Sequence, residues 1–413
     1  MNPKTFSPWP CFGDDEIEAV EKVLRYGKVN QWTGSEVTSF EKEYADYVGV
    51  KHAVAVANGS LALDMALAIL DIGPGDEVIV APRSFVASAS CIALRGATPV
   101  FVDVDSDSQN ITTDTVEEAM SSKTKAVIAV HFAGWPCELD KLRAFCDEHD
   151  IYLIEDCAQA HGAGIQKPGV RGRRLEDDKV CSTRHVGSFG HIAVFSFCQD
   201  KIITTGGEGG MLVTDHEDLW RKAWSYKDHG KDYDSVFKKK HPPGFQWLVK
   251  SFGTNCRMTE MQAAIGRLML KKLDQWVKKR RRLAGVLADG FRDIPALRVT
   301  TPLEYIYHSY YKYYVFVRPE RLRDSWNRDR ILMELGKKGI PCGSGGCPEI
   351  YLEAAFKNYT YKSRIKNYEL KNRRLPVAKA LGETSLMFMV HPTLSKENMH
   401  YVVEQVNDVM DKG

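Results

Sequence analysis

Residues 192–214 read "IAVFSFCQDKIITTGGEGGMLVT". A continuous apolar run ends at Phe197, a lysine follows at 201, and then come a threonine pair and four glycines. A second apolar run begins at Gly210. Strands that are apolar at every position are buried on both faces, as in the parallel sheets of α/β proteins. A lysine and permissive glycine backbone at the mouth of such a strand are where open α/β sheets bind ligands, outside the carboxyl ends of their strands.

The pattern extends outward in both directions. Segments 52–56, 77–81, 98–104, 126–130, 152–155, 192–197 and 210–214 read as strands. Helical patterns, such as 60–70 and 138–149, lie between them. This alternation predicts an α/β fold whose mostly parallel seven-stranded sheet lies between helices. Residues 256–285 predict one long helix, with its basic run at 271–282 on a solvated face. A strand near 310–319, a helix near 328–338 and a final strand and helix at 386–391 and 395–411 predict a smaller C-terminal α+β domain. The expected division is 1–285 and 286–413. Segments 164–190, 227–250 and 341–348 read as loops, the last of them rich in Gly, Cys and Pro.

Composition narrows the function classes. Of 413 residues, 44% are apolar and 27% charged, with a net charge of +2. That balance argues for a globular chain and against nucleic acid or membrane as principal partner. "MNPKTFSPWP" has no apolar core or cleavage site, which argues against a signal peptide. No apolar run approaches the ~18–20 residues of a membrane span. Ten cysteines without a CxxC pair fit a reduced, cytoplasmic chain and no metal site.

Four constellations fall on strand ends. At "VANGSLALDMAL", Gly59 and Ser60 open a helix whose free N–H groups suit a phosphate. Locally, though, Ser60 reads more simply as an N-cap. At "APRSFVASAS", Phe85 is a core residue on local pattern or an aromatic plate for a flat ring. At "YLIEDCAQAHGA", Asp156 caps the next turn or pairs with a cationic ring nitrogen, with Gln159 and His161 beyond. Strand alternation turns Glu155 away from Asp156. At the opening stretch, Ser196 and Lys201 leave the strand end, and burial of an amine favours its nucleophilic neutral form. A phosphate cradle, an aromatic plate, a carboxylate and a lysine are what pyridoxal phosphate needs from a protein.

On these blocks, with "VHFAGWPCELDKL" and "GTNCRMTEMQAAIGRLMLKKLD", the chain resembles the DegT/DnrJ/EryC1/StrS sugar aminotransferases across roughly residues 8–410. The resemblance implies the fold of type I pyridoxal-phosphate enzymes and amino transfer from glutamate or glutamine to a keto sugar. Most such sugars are nucleotide-linked, in amino-sugar or surface-polysaccharide biosynthesis. It implies that Lys201 forms the Schiff base and that Asp156 pairs with the pyridine nitrogen. Gln159 lies near the phenolic oxygen and Phe85 stacks on the ring, while Gly59, Ser60 and Ser196 contact the phosphate. Asn255 reaches a neighbouring subunit's phosphate, which implies a homodimer with shared active sites. Two alternatives share the cofactor: a sugar dehydratase, against which a lysine at 201 argues, and a non-catalytic regulator, for which no DNA-reading module is evident. The chain departs from the family pattern at "IPCGSGGCPEIYLEAAF", which lacks the histidine common near the sugar pocket.

Overall fold

The computed structural model describes residues 4–166, 182–241, 247–357 and 374–413. The strands are β1 (His52–Val56), β2 (Glu77–Val80), β3 (Thr98–Phe101), β4 (Thr124–Val130), β5 (Tyr152–Asp156), β6 (Gly164–Gln166), β7 (Thr183–His185), β8 (Ile192–Ser196), β9 (Gly210–Thr214), β10 (Leu297–Val299), β11 (Ile306–Tyr307), β12 (Tyr313–Val317), β13 (Cys342–Gly343) and β14 (Ser385–Phe388). The central sheet has seven strands in the order β1-β9-β8-β5-β4-β2-β3. Pairs β3/β2, β2/β4, β4/β5 and β5/β8 are parallel, and β9 runs antiparallel to both β8 and β1.

Alternate residues of each strand feed two separate cores. Ala55, Ile79, Val127, Leu153 and Phe195 pack with helices Glu36–Val48 and Leu139–Glu148 on one side. Val56, Val80, Ile128, Ile154 and Val194 pack with helices Gly59–Ile69, Ala87–Leu94 and Glu217–Lys227 on the other. A strand that must satisfy both layers has no polar face, hence the unbroken apolar runs.

A third core lies under the sheet β10-β12-β14-β13 and includes Tyr313, Val315, Leu386, Phe388, Val402 and Val406. Helix Glu260–Phe291 runs beyond residue 285 and serves two cores: Leu273 and Val277 pack into the first, Leu287 and Phe291 into the third. It begins with a capping box between Thr259 and Gln262.

Some expected loops carry structure. Within 164–190, β6 and β7 pair and β11 adds a third strand, while residues 167–181 lie outside the described residues. Backbone pairing with a distant partner needs no local apolar signature, which is why a polar stretch forms strands here. Segment 227–250 contains the helix Tyr233–Phe237, and its residues 242–246 are outside the description. Within 341–348, β13 pairs with β14. The basic run is not simply solvated either. Lys272 pairs with Asp15 and Glu16, and Arg280 is 1% exposed, donating to the carbonyl of Tyr311 at 3.1 Å. No described helix is long and apolar enough to cross a membrane.

Candidate active site

β1, β2, β4, β5 and β8 point their carboxyl ends to one edge of the sheet. A cavity of about 690 Å³ opens there. It is lined by Gly59, Ser60, Phe85, Asp156, Gln159, Ser196 and Lys201, and β12 and β14 close it with Tyr311, Lys312, Tyr314, Met387 and Met389 nearby. Asn255 is exposed and is not among the lining residues; it pairs by a backbone bridge with Asp228.

The anion cradle differs from local expectation. Asn58, not Ser60, caps helix Gly59–Ile69: its side chain accepts the Leu61 N–H at 2.9 Å. Both residues suit an N-cap, but only the earlier one has the extended backbone that the position requires (φ −165°, ψ 168°). Ser60 is left exposed at the cavity wall. A Cβ on Gly59 would lie 2.6 Å from the Ser196 Cβ, so glycine alone lets the helix start close against β8. This close-packed cradle of free N–H groups and hydroxyls fits a phosphate.

Phe85 is 64% exposed and faces the cavity, which overturns its local reading as core. It follows the end of β2, where the backbone has already left the apolar layer. An exposed aromatic ring at a cavity mouth suits stacking on a planar ligand.

Asp156, at the end of β5, is 4% exposed. Its Oδ2 accepts the Ser88 hydroxyl at 2.8 Å, and Ser88 pairs in turn with Ser84 at 2.9 Å. Its Oδ1 accepts the Ala158 N–H at 3.1 Å, so capping the turn and facing the cavity coexist. Gln159 Oε1 accepts the Ala133 N–H at 2.9 Å, which leaves its amide nitrogen to point elsewhere. Glu155 points the other way, as strand alternation requires. It accepts from His131 at 3.0 Å and from the N–H groups of Gly187, Phe189 and Gly190. Burial pushes its carboxyl up, and these donors outweigh that and hold it below its ordinary value. Glu155, His131 and Cys157 stand close enough to suggest a metal site, but the four donors already occupy the carboxylate.

The lysine loop connects β8 to the returning β9. Phe197 N–H bonds Gly209 O at 2.8 Å, and the Thr204 hydroxyl bonds Phe197 O at 2.9 Å. Gly206 and Gly207 have φ of +88° and +125°, which side chains avoid. Cys198 takes part in the turn twice: its N–H donates to Ser196 Oγ and its carbonyl accepts the Lys201 N–H at 3.1 Å. Trp9, from the N-terminal segment, donates to the Lys201 carbonyl at 2.8 Å. Below, His161 bridges the Tyr44 hydroxyl and the Ser196 carbonyl, each at 2.8 Å. Burial pushes the His161 pKa down to about 3, so the ring is neutral.

Asp200 gathers the residues that sequence reading missed. The Tyr311 hydroxyl donates to it, and its carboxylate lies 4.0 Å from Lys201 Nζ and 3.9 Å from Lys312 Nζ. Burial raises the Asp200 carboxyl; Lys201, Tyr311 and Lys312 together more than reverse this. Burial, with Arg280 and Lys201 nearby, pulls Lys312 down to about 8 against the opposing pull of Asp200. Nothing local marks Tyr311 or Lys312, since they stand more than a hundred positions from Lys201. Arg280 orients them from behind through the Tyr311 carbonyl.

A phosphate cradle, an aromatic plate, a buried carboxylate and a lysine around one cavity define a pyridoxal-phosphate enzyme of the fold type I class. The chain matches the DegT/DnrJ/EryC1/StrS aminotransferase family over residues 10–407 and belongs to that family. It is thus a pyridoxal-phosphate-dependent sugar aminotransferase. It is 31% identical to the spore coat polysaccharide biosynthesis protein SpsC of Bacillus subtilis, covering 97% of this chain and 96% of that one. It is 29% identical to GDP-perosamine synthase of Escherichia coli O157:H7, covering 91% and 90%. Among solved structures, the aminotransferase from Psychrobacter cryohalolentis superposes with a TM-score of 0.90 at 48% identity, covering 99% of each chain.

Proposed function

We propose that this enzyme moves an amino group from L-glutamate or L-glutamine to a nucleotide-linked keto sugar, as a cytoplasmic homodimer with shared active sites. The observation that carries the reading is the convergence of Lys201, Asp156 and the Gly59–Ser60 helix start on one cavity. GDP-perosamine synthase, whose product is nucleotide-linked by name, supports the substrate class.

When bound, the cofactor supplies an electron sink for the pair left by a broken C–H bond. The Gly59 and Ser60 N–H groups with the Ser60 and Ser196 hydroxyls would hold its phosphate. Phe85 would support its ring, Gln159 would meet its phenolic oxygen, and Asp156 would keep its ring nitrogen protonated. Ser88 and the Ala158 N–H fix the orientation of Asp156. Lys201 Nζ would hold the aldehyde carbon at rest. Once the donor's amino group displaces it there, the freed amine would take the proton from the donor α-carbon and, in the second half-reaction, deliver one at the sugar carbon. Asn255, exposed and outside the cavity of its own chain, serves the neighbouring subunit's phosphate. Product keto acid leaves before sugar binds, so the kinetics are ping-pong.

The test is to convert the purified enzyme to its amino form with donor and offer a panel of nucleotide-linked and free keto sugars. Return of the resting visible spectrum with a nucleotide-linked sugar supports the reading. Return only with free sugars, or with none, contradicts it.

A further inference from the structure

We propose that Lys312 is the receptor for the α-carboxylate of the amino donor, and for the same group of the keto acid that leaves. The inference rests on the aminotransferase reading above and adds a substrate-binding residue to it.

Among the described residues that line the cavity, the cationic side chains are Lys201 and Lys312. Lys201 is committed to the cofactor and to proton movement, which leaves Lys312 to meet an anion. Its ammonium is largely buried, with a side-chain exposure of 13%, and is sparsely satisfied. It reaches the Met389 thioether at 3.2 Å, a weak acceptor, while Asp200 stands at 3.9 Å, beyond hydrogen-bond length. An ammonium has three donors, and desolvating it without strong acceptors is costly. Such a group is poised for an incoming carboxylate.

Its position selects which anion. Lys201 Nζ and Lys312 Nζ lie 5.0 Å and 4.7 Å from the centroid of the same Tyr311 ring and share the Asp200 carboxylate. A donor's carboxylate is one bond from the α-carbon whose proton Lys201 removes. The anion receptor must therefore stand beside Lys201, as Lys312 does. A sugar-linked diphosphate is separated from the reacting carbon by the sugar ring, so its receptor would stand farther from Lys201 than a donor carboxylate's.

The experiment compares wild-type holoenzyme with Lys312→Met and Lys312→Arg. Met keeps the length of the stem, and Arg keeps the charge. The donor half-reaction is titrated with L-glutamate by the change in visible absorbance, and the reverse half-reaction with 2-oxoglutarate. Binding of succinate, a dicarboxylate that cannot be aminated, and of UDP is measured by calorimetry. Lys312→Met should raise the half-saturating glutamate and 2-oxoglutarate about 10- to 100-fold, the range for losing a charged hydrogen bond. It should weaken succinate similarly and leave UDP binding within about twofold, with partial recovery in Lys312→Arg. Unchanged glutamate and succinate constants in Lys312→Met would overturn the inference while the aminotransferase reading stands. Weakened UDP binding with unchanged glutamate would also overturn it, by assigning Lys312 to the sugar's phosphates. Wild-type enzyme that shows no donor half-reaction would remove both readings.

Discussion

Tyr311 donates its hydroxyl to Asp200, the residue just before Lys201. One hydrogen bond thus ties the segment entering β12 to the loop that carries Lys201. Tyr311→Phe removes the donor while keeping the ring that Lys201 and Lys312 flank. Asp200 has a side-chain exposure of 54%, so water replaces part of the bond. The expected cost is about 1 kcal/mol in chemical denaturation, below that of a fully buried charged bond. The expected functional effect is a fall in kcat, because the tie positions Lys201; an unchanged kcat would argue that the loop holds its place without it.

In the proposed site, Asp156 supplies the charge that would oppose the cofactor's ring nitrogen. Asp156→Asn should retain the bound cofactor while turnover falls about 100-fold or more, the scale for removing one preorganised electrostatic partner. Ser88→Ala acts one step back. It leaves Asp156 with the Ala158 N–H alone and should cost about 1–3 kcal/mol of stability, with a smaller kcat loss than Asp156→Asn. Steady-state rates beside urea midpoints separate the two effects.

These residues show what was readable in the chain. Asp156, Ser196 and Lys201 sit on or directly after apolar strands, and a strand end announces itself locally. Gly59 and Ser60 were legible as a helix start, though the capping residue was Asn58. Which of two capping residues two positions apart takes the role depends on backbone angles that sequence does not print. On local pattern alone Phe85 read as core, because an aromatic beside a strand usually is; the resemblance implied a stacking role instead, and its exposure at the cavity overturns the local reading. Tyr311, Lys312 and Ser88 were not legible as site residues, because their role comes from tertiary contacts with Asp200 and Asp156. The polar stretch around β6 and β7 failed for the same reason, since its order comes from pairing with β11.

Buried neutral histidines make stability depend on pH. His161 and His308 are fully enclosed, and burial is the chief cause that pushes both down, His161 to about 3. In the unfolded chain each protonates near pH 6.5. The unfolded state therefore binds more protons, and stability present above pH 6.5 is lost as pH falls toward the folded values. His161 contributes a slope of about 1.4 kcal/mol per pH unit between roughly pH 6 and 4, and His308 adds to it in the same direction. His161→Gln should be less stable at pH 8 but show a slope smaller by about that amount. Equal slopes in wild type and variant would contradict the assignment.

The proposed shared active sites predict complementation. Lys201→Ala and Asn255→Ala homodimers should each be impaired. Mixed and allowed to exchange subunits, they should regain activity, because one site of the heterodimer then has both Lys201 and the neighbour's Asn255. A mixture no more active than its components would place Asn255 outside any active site.

The central claim is that Lys201, and not the neighbouring Lys312, holds the cofactor. Borohydride reduction of the holoenzyme makes the link between lysine and aldehyde permanent, and peptide mass mapping then locates it. The account predicts one cofactor adduct per chain, on the peptide containing Lys201, and none in Lys201→Ala. An adduct on Lys312, or undiminished labelling of Lys201→Ala, would contradict it.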